Sequence, residues 1–230
     1  MSEATLPRVP VASLDVEARS TFVMQTYLHL FMAILAFVGV EIVLFTSGIA
    51  PVLAQAMLGV NWLLVLGAFM IVGWFATRTA HRAESLTAQY LALGAFVVAE
   101  AVIFVPLLYV ANFYAPGAIT SAALVTLLGF GGLTAVAFVT RKDFSFLGAL
   151  LRWGFLIALV LIVAGVIFGF QLGTFFSVAM IALAGGSVLY DTSKILHHYP
   201  HDRYVGAALE LFASVALMFW YILRLFMSRR

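Results

Sequence analysis

Ala118–Val139 reads AITSAALVTLLGFGGLTAVAFV, twenty-two residues without a single charged side chain. A helix of that length rises about 33 Å, enough to cross the hydrocarbon core of a bilayer. Runs of the same kind lie on both sides of it: Phe22–Phe45, Leu58–Thr77, Leu86–Ala111, Leu147–Phe168, Thr174–Leu196 and Tyr204–Phe226. Backbone polar groups left unpaired in lipid are costly, so runs this apolar predict helices. The pattern predicts an all-α polytopic membrane protein with seven transmembrane helices, whose immediate surroundings are the lipid bilayer.

Composition agrees. Of 230 residues, 64% are apolar and 10% are charged, and the mean hydropathy is +1.12. A soluble domain carries about 25% charged residues, so this chain cannot build a water-facing surface. No linker or low-complexity tract divides it. We expect a short cytoplasmic tail over residues 1–21, which hold Glu3, Asp15, Glu17, two Arg and two Pro, followed by one membrane domain over residues 22–230. The tail lacks the short apolar core of a cleavable signal. The absence of cysteine excludes disulfides and thiolate metal sites. A net charge of +2 gives no basic face for nucleic acid.

Basic residues alternate along the breaks between the runs. Arg78 and Arg82, Arg141 and Lys142, and Arg203 with the nearby Lys194 mark the second, fourth and sixth breaks; the first, third and fifth contain no Lys or Arg. The positive-inside rule then places the N-terminus and the even breaks in the cytoplasm. Seven crossings put Arg229 and Arg230 on the opposite side, against the rule. Either the last run crosses fully, which its length favours, or it is re-entrant.

Acids inside the membrane are the default functional candidates, because charge there costs several kcal/mol. Glu41 lies near the end of the first run, where a side chain can reach the interface. Glu100 sits mid-run, six residues before Pro106, and is a candidate for an ion path. Asp191 and Glu210 lie at matching depths, about 8–9 Å inside the ends of two consecutive runs. If they face each other, two carboxylates in a low dielectric share a proton, recruit a cation such as Ca²⁺, or pair with Arg; if not, each finds its own partner. His197, His198 and His201 read as solvated loop, interrupted by Pro200. Enzymatic chemistry is not expected: Tyr204–Phe226 holds no Asp to complete an aspartyl pair and no Lys for a Schiff base. No bound cofactor is expected either.

Four stretches resemble the Bax inhibitor-1 family, also called the transmembrane Bax-inhibitor-motif family: FVMQTYLHL (22–30), GLTAVAFVTRKDFSFLG (132–148), GGSVLYDTSKI (185–195) and Ala207–Phe226 with its Tyr221–Arg224 pattern. The resemblance implies six helices arranged around a central C-terminal helix, a bacterial inner-membrane location, and a pH-sensitive Ca²⁺ leak. It further implies a gate of two aspartates latched by an Arg of the second span. The first aspartate corresponds to Asp191. The second position holds Ser214, and the Arg corresponds best to Arg78. Glu210, one turn before Ser214, is our candidate for the missing carboxylate. The pH-sensing set is therefore Asp191, Glu210, Ser214 and Arg78, with Asp191 and Glu210 as candidate Ca²⁺ ligands. The alternative function is a non-conducting partner that restrains a membrane protease or another stress-response complex. The oligomeric state is left open.

Overall fold

The computed structural model describes residues 10–83 and 85–228; Glu3, Glu84, Arg229 and Arg230 lie outside them. Eight α-helices follow a single short 3₁₀ turn at Val11–Ser13: α1 (Val16–Thr46), α2 (Ile49–Leu58), α3 (Trp62–Arg82), α4 (Leu86–Tyr114), α5 (Ala118–Thr140), α6 (Leu147–Phe168), α7 (Gly173–His197) and α8 (Tyr204–Ser228). All but α2 are long and apolar enough to cross a membrane.

The boundaries follow local chemistry. Asp15 caps α1 by accepting a 2.7 Å bond from the Ala18 amide, and Asn61 caps α3 through the Leu63 amide at 2.9 Å. At Gly48 the chain turns sharply with φ +78°, where a β-carbon would be strained, and α2 starts at the next residue.

Two features differ from the sequence reading, and a third matches the alternative that it favoured. The first break contains α2, whose ten residues are too few to cross but bury Ala50 and Ala54 against Val105 of α4. Pro51 sits in its first turn, where amides have no intrahelical acceptor to lose. The expected tail is partly structured: α1 begins at Val16, and Val11 is fully buried. The last run is one continuous 25-residue helix rather than a re-entrant hairpin.

Burial separates the helices into two kinds. The most apolar eighteen-residue stretches of α8 and α4 are 72% and 61% buried, whereas no other span exceeds 39%. α8 touches α1, α3, α4, α5 and α7, while α6 packs on α7 and α3. Aromatic rings fill the middle: Phe104 of α4 stacks on Phe219 at 5.6 Å and meets Trp220 edge-on at 4.9 Å, and Phe37 of α1 meets Phe104 at 5.2 Å. The outer helices turn Leu, Val, Ile and Phe outward, as a lipid-facing surface requires.

The connections after α3, α5 and α7 gather at one end of the bundle, joined by the N-terminal turn. The Val11 amide donates to the Tyr199 carbonyl at 2.9 Å, the Arg203 guanidinium donates to the Ala83 carbonyl, and His198 Nε2 meets Asp143 Oδ2 at 2.8 Å. A membrane-impermeant maleimide tests this on intact vesicles, since the chain has no native cysteine. Lys142→Cys and Asp202→Cys are expected to label from one side, and Tyr114→Cys from the other.

Candidate functional site

α7 and α8 run antiparallel and place four polar side chains face to face. On α7, Asp191 and Lys194 are three residues apart; on α8, Glu210 and Ser214 are four apart, so each pair shares a helix face. The pairs cross over. Ser214 Oγ donates to Asp191 Oδ2 at 2.7 Å, and Lys194 Nζ donates to Glu210 Oε2 at 2.8 Å. Asp191 and Ser214 are buried, whereas Glu210 and Lys194 keep about a fifth to a quarter of their side chains exposed, at 21% and 26%.

A third helix completes the cluster. His81, in the last turn of α3, places Nε2 2.9 Å from Glu210 Oε1. This approach depends on Gly206: a β-carbon there would stand 3.1 Å from the Ala80 carbonyl oxygen, a backbone atom that cannot swing aside. Tyr199, in the α7–α8 connection, covers the site with its hydroxyl 3.4 Å from His81 Nδ1. Its ring and that of Tyr190 lie 5.1 and 5.3 Å from Lys194 Nζ, within cation–π range. Burial, reinforced by the Glu210 carboxylate, holds the Tyr199 phenol well above its ordinary pKa, so it stays a proton donor.

The connections clamp this end. Asp143 accepts from the Ser145 amide at 2.8 Å and pairs with His198, while Ser193 Oγ accepts from the Phe144 amide at 2.9 Å. These contacts, the Ser145 amide first and then His198, lower the Asp143 pKa to about 2. His198 is therefore part of a loop clamp rather than free solvated loop.

The structure brings together Asp191, Ser214 and Glu210, with no hydrogen bond directly between the two carboxylates. Asp191 is bonded to Ser214 itself, and Glu210 is bound by His81 and Lys194. Arg78 is not in the cluster. It is exposed and lies back over the Trp74 ring of its own helix at 5.1 Å. His81 was missed because the second break was read as loop from Arg78 onward, whereas α3 continues to Arg82 and turns His81 inward. Lys194 was counted only as a topology marker. Among the described residues no group of three or more His, Asp or Glu is gathered to hold an ion. Glu100 is buried elsewhere, at the floor of a separate cleft.

The Tyr190-Asp191-Thr192 turn of α7 is bonded to the last helix through Ser214. Comparison with known proteins decides the family: the profile described as "Inhibitor of apoptosis-promoting Bax1" matches residues 19–230. The chain belongs to the Bax inhibitor-1 family. Protein LIFEGUARD 4 of Arabidopsis thaliana is 30% identical over 218 residues, 91% of this chain and 85% of that protein. The vaccinia virus Golgi anti-apoptotic protein is 27% identical over 71% of this chain and 68% of its own length. Modulator of FtsH protease YccA of Escherichia coli is 33% identical over 41% of this chain and 43% of its own length. An uncharacterised Pseudomonas aeruginosa protein, 34% identical, is likewise matched over only 49% of its length. Within the Bax inhibitor-1 family, then, this member carries Ser214 where the resemblance implies a second aspartate, and its His81–Glu210–Lys194 bridge ties α3, α7 and α8.

Two outcomes follow from this geometry. Removing Glu210 strands two donors, so Glu210→Gln is expected to destabilise the protein by about 1–3 kcal/mol. Lys194→Met combined with Glu210→Gln should cost at least about 1 kcal/mol less than the sum of the single changes. Thermal unfolding in detergent measures the cycle; additive costs would mean that the bridge contributes nothing.

The second concerns pH. A carboxylate whose pKa is lowered on folding contributes stability above its unfolded value of 3.8 and loses it only as pH falls through about 2. Asp143 therefore stays charged throughout the physiological range. Asp143→Asn removes the charged acceptor that both contacts share and is expected to speed hydrogen exchange in the α5–α6 connection at neutral pH; unchanged exchange would contradict the clamp.

Proposed function

We propose that this protein is a pH-sensitive cation leak, with Ca²⁺ as its principal cargo, gated by the cluster at the α3–α7–α8 junction. The observation that carries the reading is the single carboxylate, Glu210, that ties three helices together through His81 and Lys194. Protonating Glu210 removes its charge and weakens both contacts, freeing the end of α3 from α8. Protonating His81 acts in the opposite sense, since an imidazolium binds the carboxylate more strongly. The balance sets the closed-to-open equilibrium, and Asp191, which accepts from the Ser214 hydroxyl, is the buried acid beside the bridge.

The orientation is part of the proposal. Arg82, Arg141, Lys142, Lys194 and Arg203 all lie at the clamped end, so that end and the N-terminus face the cytoplasm. Similarity to a protein named "Inner membrane protein YccA" supports a bacterial inner-membrane location. The same similarity supports a second reading, in which the chain binds a membrane protease and modulates it without conducting.

Ca²⁺ flux into liposomes holding the purified protein separates the two. We expect flux that changes with pH, a flattened pH response in Asp191→Asn, and at least a several-fold higher neutral-pH flux in Glu210→Gln. No flux at any pH would overturn the leak and leave the modulator reading.

A further inference from the structure

The second acid of the interior, Glu100, has no role in the cluster just described. Its carboxyl is buried, with 7% of the residue exposed, and among the described residues no side chain hydrogen-bonds or pairs with it. It forms part of the floor of a cleft of about 860 Å³ between α3, α4, α6, α7 and α8. The walls are aromatic: Trp62, Phe104, Phe170, Trp220 and Tyr221, with Trp62 and Trp220 stacked at 6.0 Å. The cleft also reaches the α6–α7 connection and Ser228, placing its mouth at the end opposite the clamp. Arg224, the basic residue in its lining, cannot serve Glu100. Phe96 meets Phe212 and Phe104 meets Phe219, so Glu100 is level with residues 215–216 of α8, about 12 Å along the axis from Arg224.

We propose that this cleft binds a lipophilic organic monocation, its charge at Glu100 and its apolar body against the rings. The volume is that of a small-molecule site, mostly apolar with one fixed polar anchor. A charged carboxylate at this depth is stabilised by a counter-charge, and none of the described side chains supplies one, so a cationic ligand would be favoured there. One acid matches one positive charge; the other polar side chains along the walls are too few to replace the oxygen shell of a divalent ion. Aromatic faces attract a desolvated cation directly. A lipid acyl chain would fill the same apolar space without using the acid. This inference does not rest on the leak reading, and its test reads binding rather than flux.

The probe is tetraphenylphosphonium, with tetraphenylborate as an anion of the same shape, each titrated against the purified full chain in neutral detergent. Scintillation proximity with labelled probe gives the affinity, and quenching of tryptophan fluorescence gives an independent readout. We expect saturable binding of the phosphonium, at least tenfold tighter than the borate, in the unmodified protein. Glu100→Gln should weaken the phosphonium at least tenfold and leave the borate unaffected or tighter. Leu66→Trp, which fills the cleft and keeps the acid, should weaken the phosphonium too. Equal binding of both probes to the unmodified protein would overturn the proposal without any variant. So would undiminished phosphonium binding in a folded Glu100→Gln protein.

Discussion

A carboxylate inside a membrane protein is costly unless donors answer it, and at Glu210 the donors that do so organise one whole end of the bundle. Glu210 draws His81 from α3 and Lys194 from α7 to α8. For His81 to reach it, α3 and α8 must lie close, which Gly206 permits. For Lys194 to reach it, α7 and α8 must hold a fixed antiparallel register, and the same register delivers Ser214 to Asp191. Tyr199 then closes over the group, and the N-terminal turn is stitched to the backbone of Tyr199. Each contact is modest alone; together they fix the relative positions of three spans.

The spans were legible because bilayer thickness imposes a length that no soluble context demands. Leu147–Phe168 appears in the structure with the boundaries read from its sequence. The short α2 was not legible, since ten apolar residues beginning beside Pro51 look the same in a loop and in a helix lying on α4. The individual acids were equally visible, for the physical reason that burying charge is costly and rare. Their partners were not. Arg78 is the stronger base, yet it is exposed over Trp74, while His81, three residues on at the end of α3, meets Glu210. A break assigned five residues too early leaves His81 outside the helix.

Ser214 shows how a substitution at a functional position can preserve shape while changing chemistry. A hydroxyl satisfies Asp191 with one hydrogen bond, as a protonated carboxyl would, but it cannot give up the proton at any accessible pH. The acid that α8 does carry stands one helical turn away, at Glu210, with partial access to water.

The polar contacts are distributed unevenly from end to end. Every ion pair among the described residues, from His81–Glu210 to Asp202–Arg203, lies at the end where the N-terminal turn is stitched down. The opposite end is held by apolar packing around an open cleft. A rod fastened at one end is a lever. Tilting a 25-residue helix such as α8 by about 5° about its fastened end carries the free end about 3 Å. A change of angle at the fastened end is therefore largest at the end that carries the cleft.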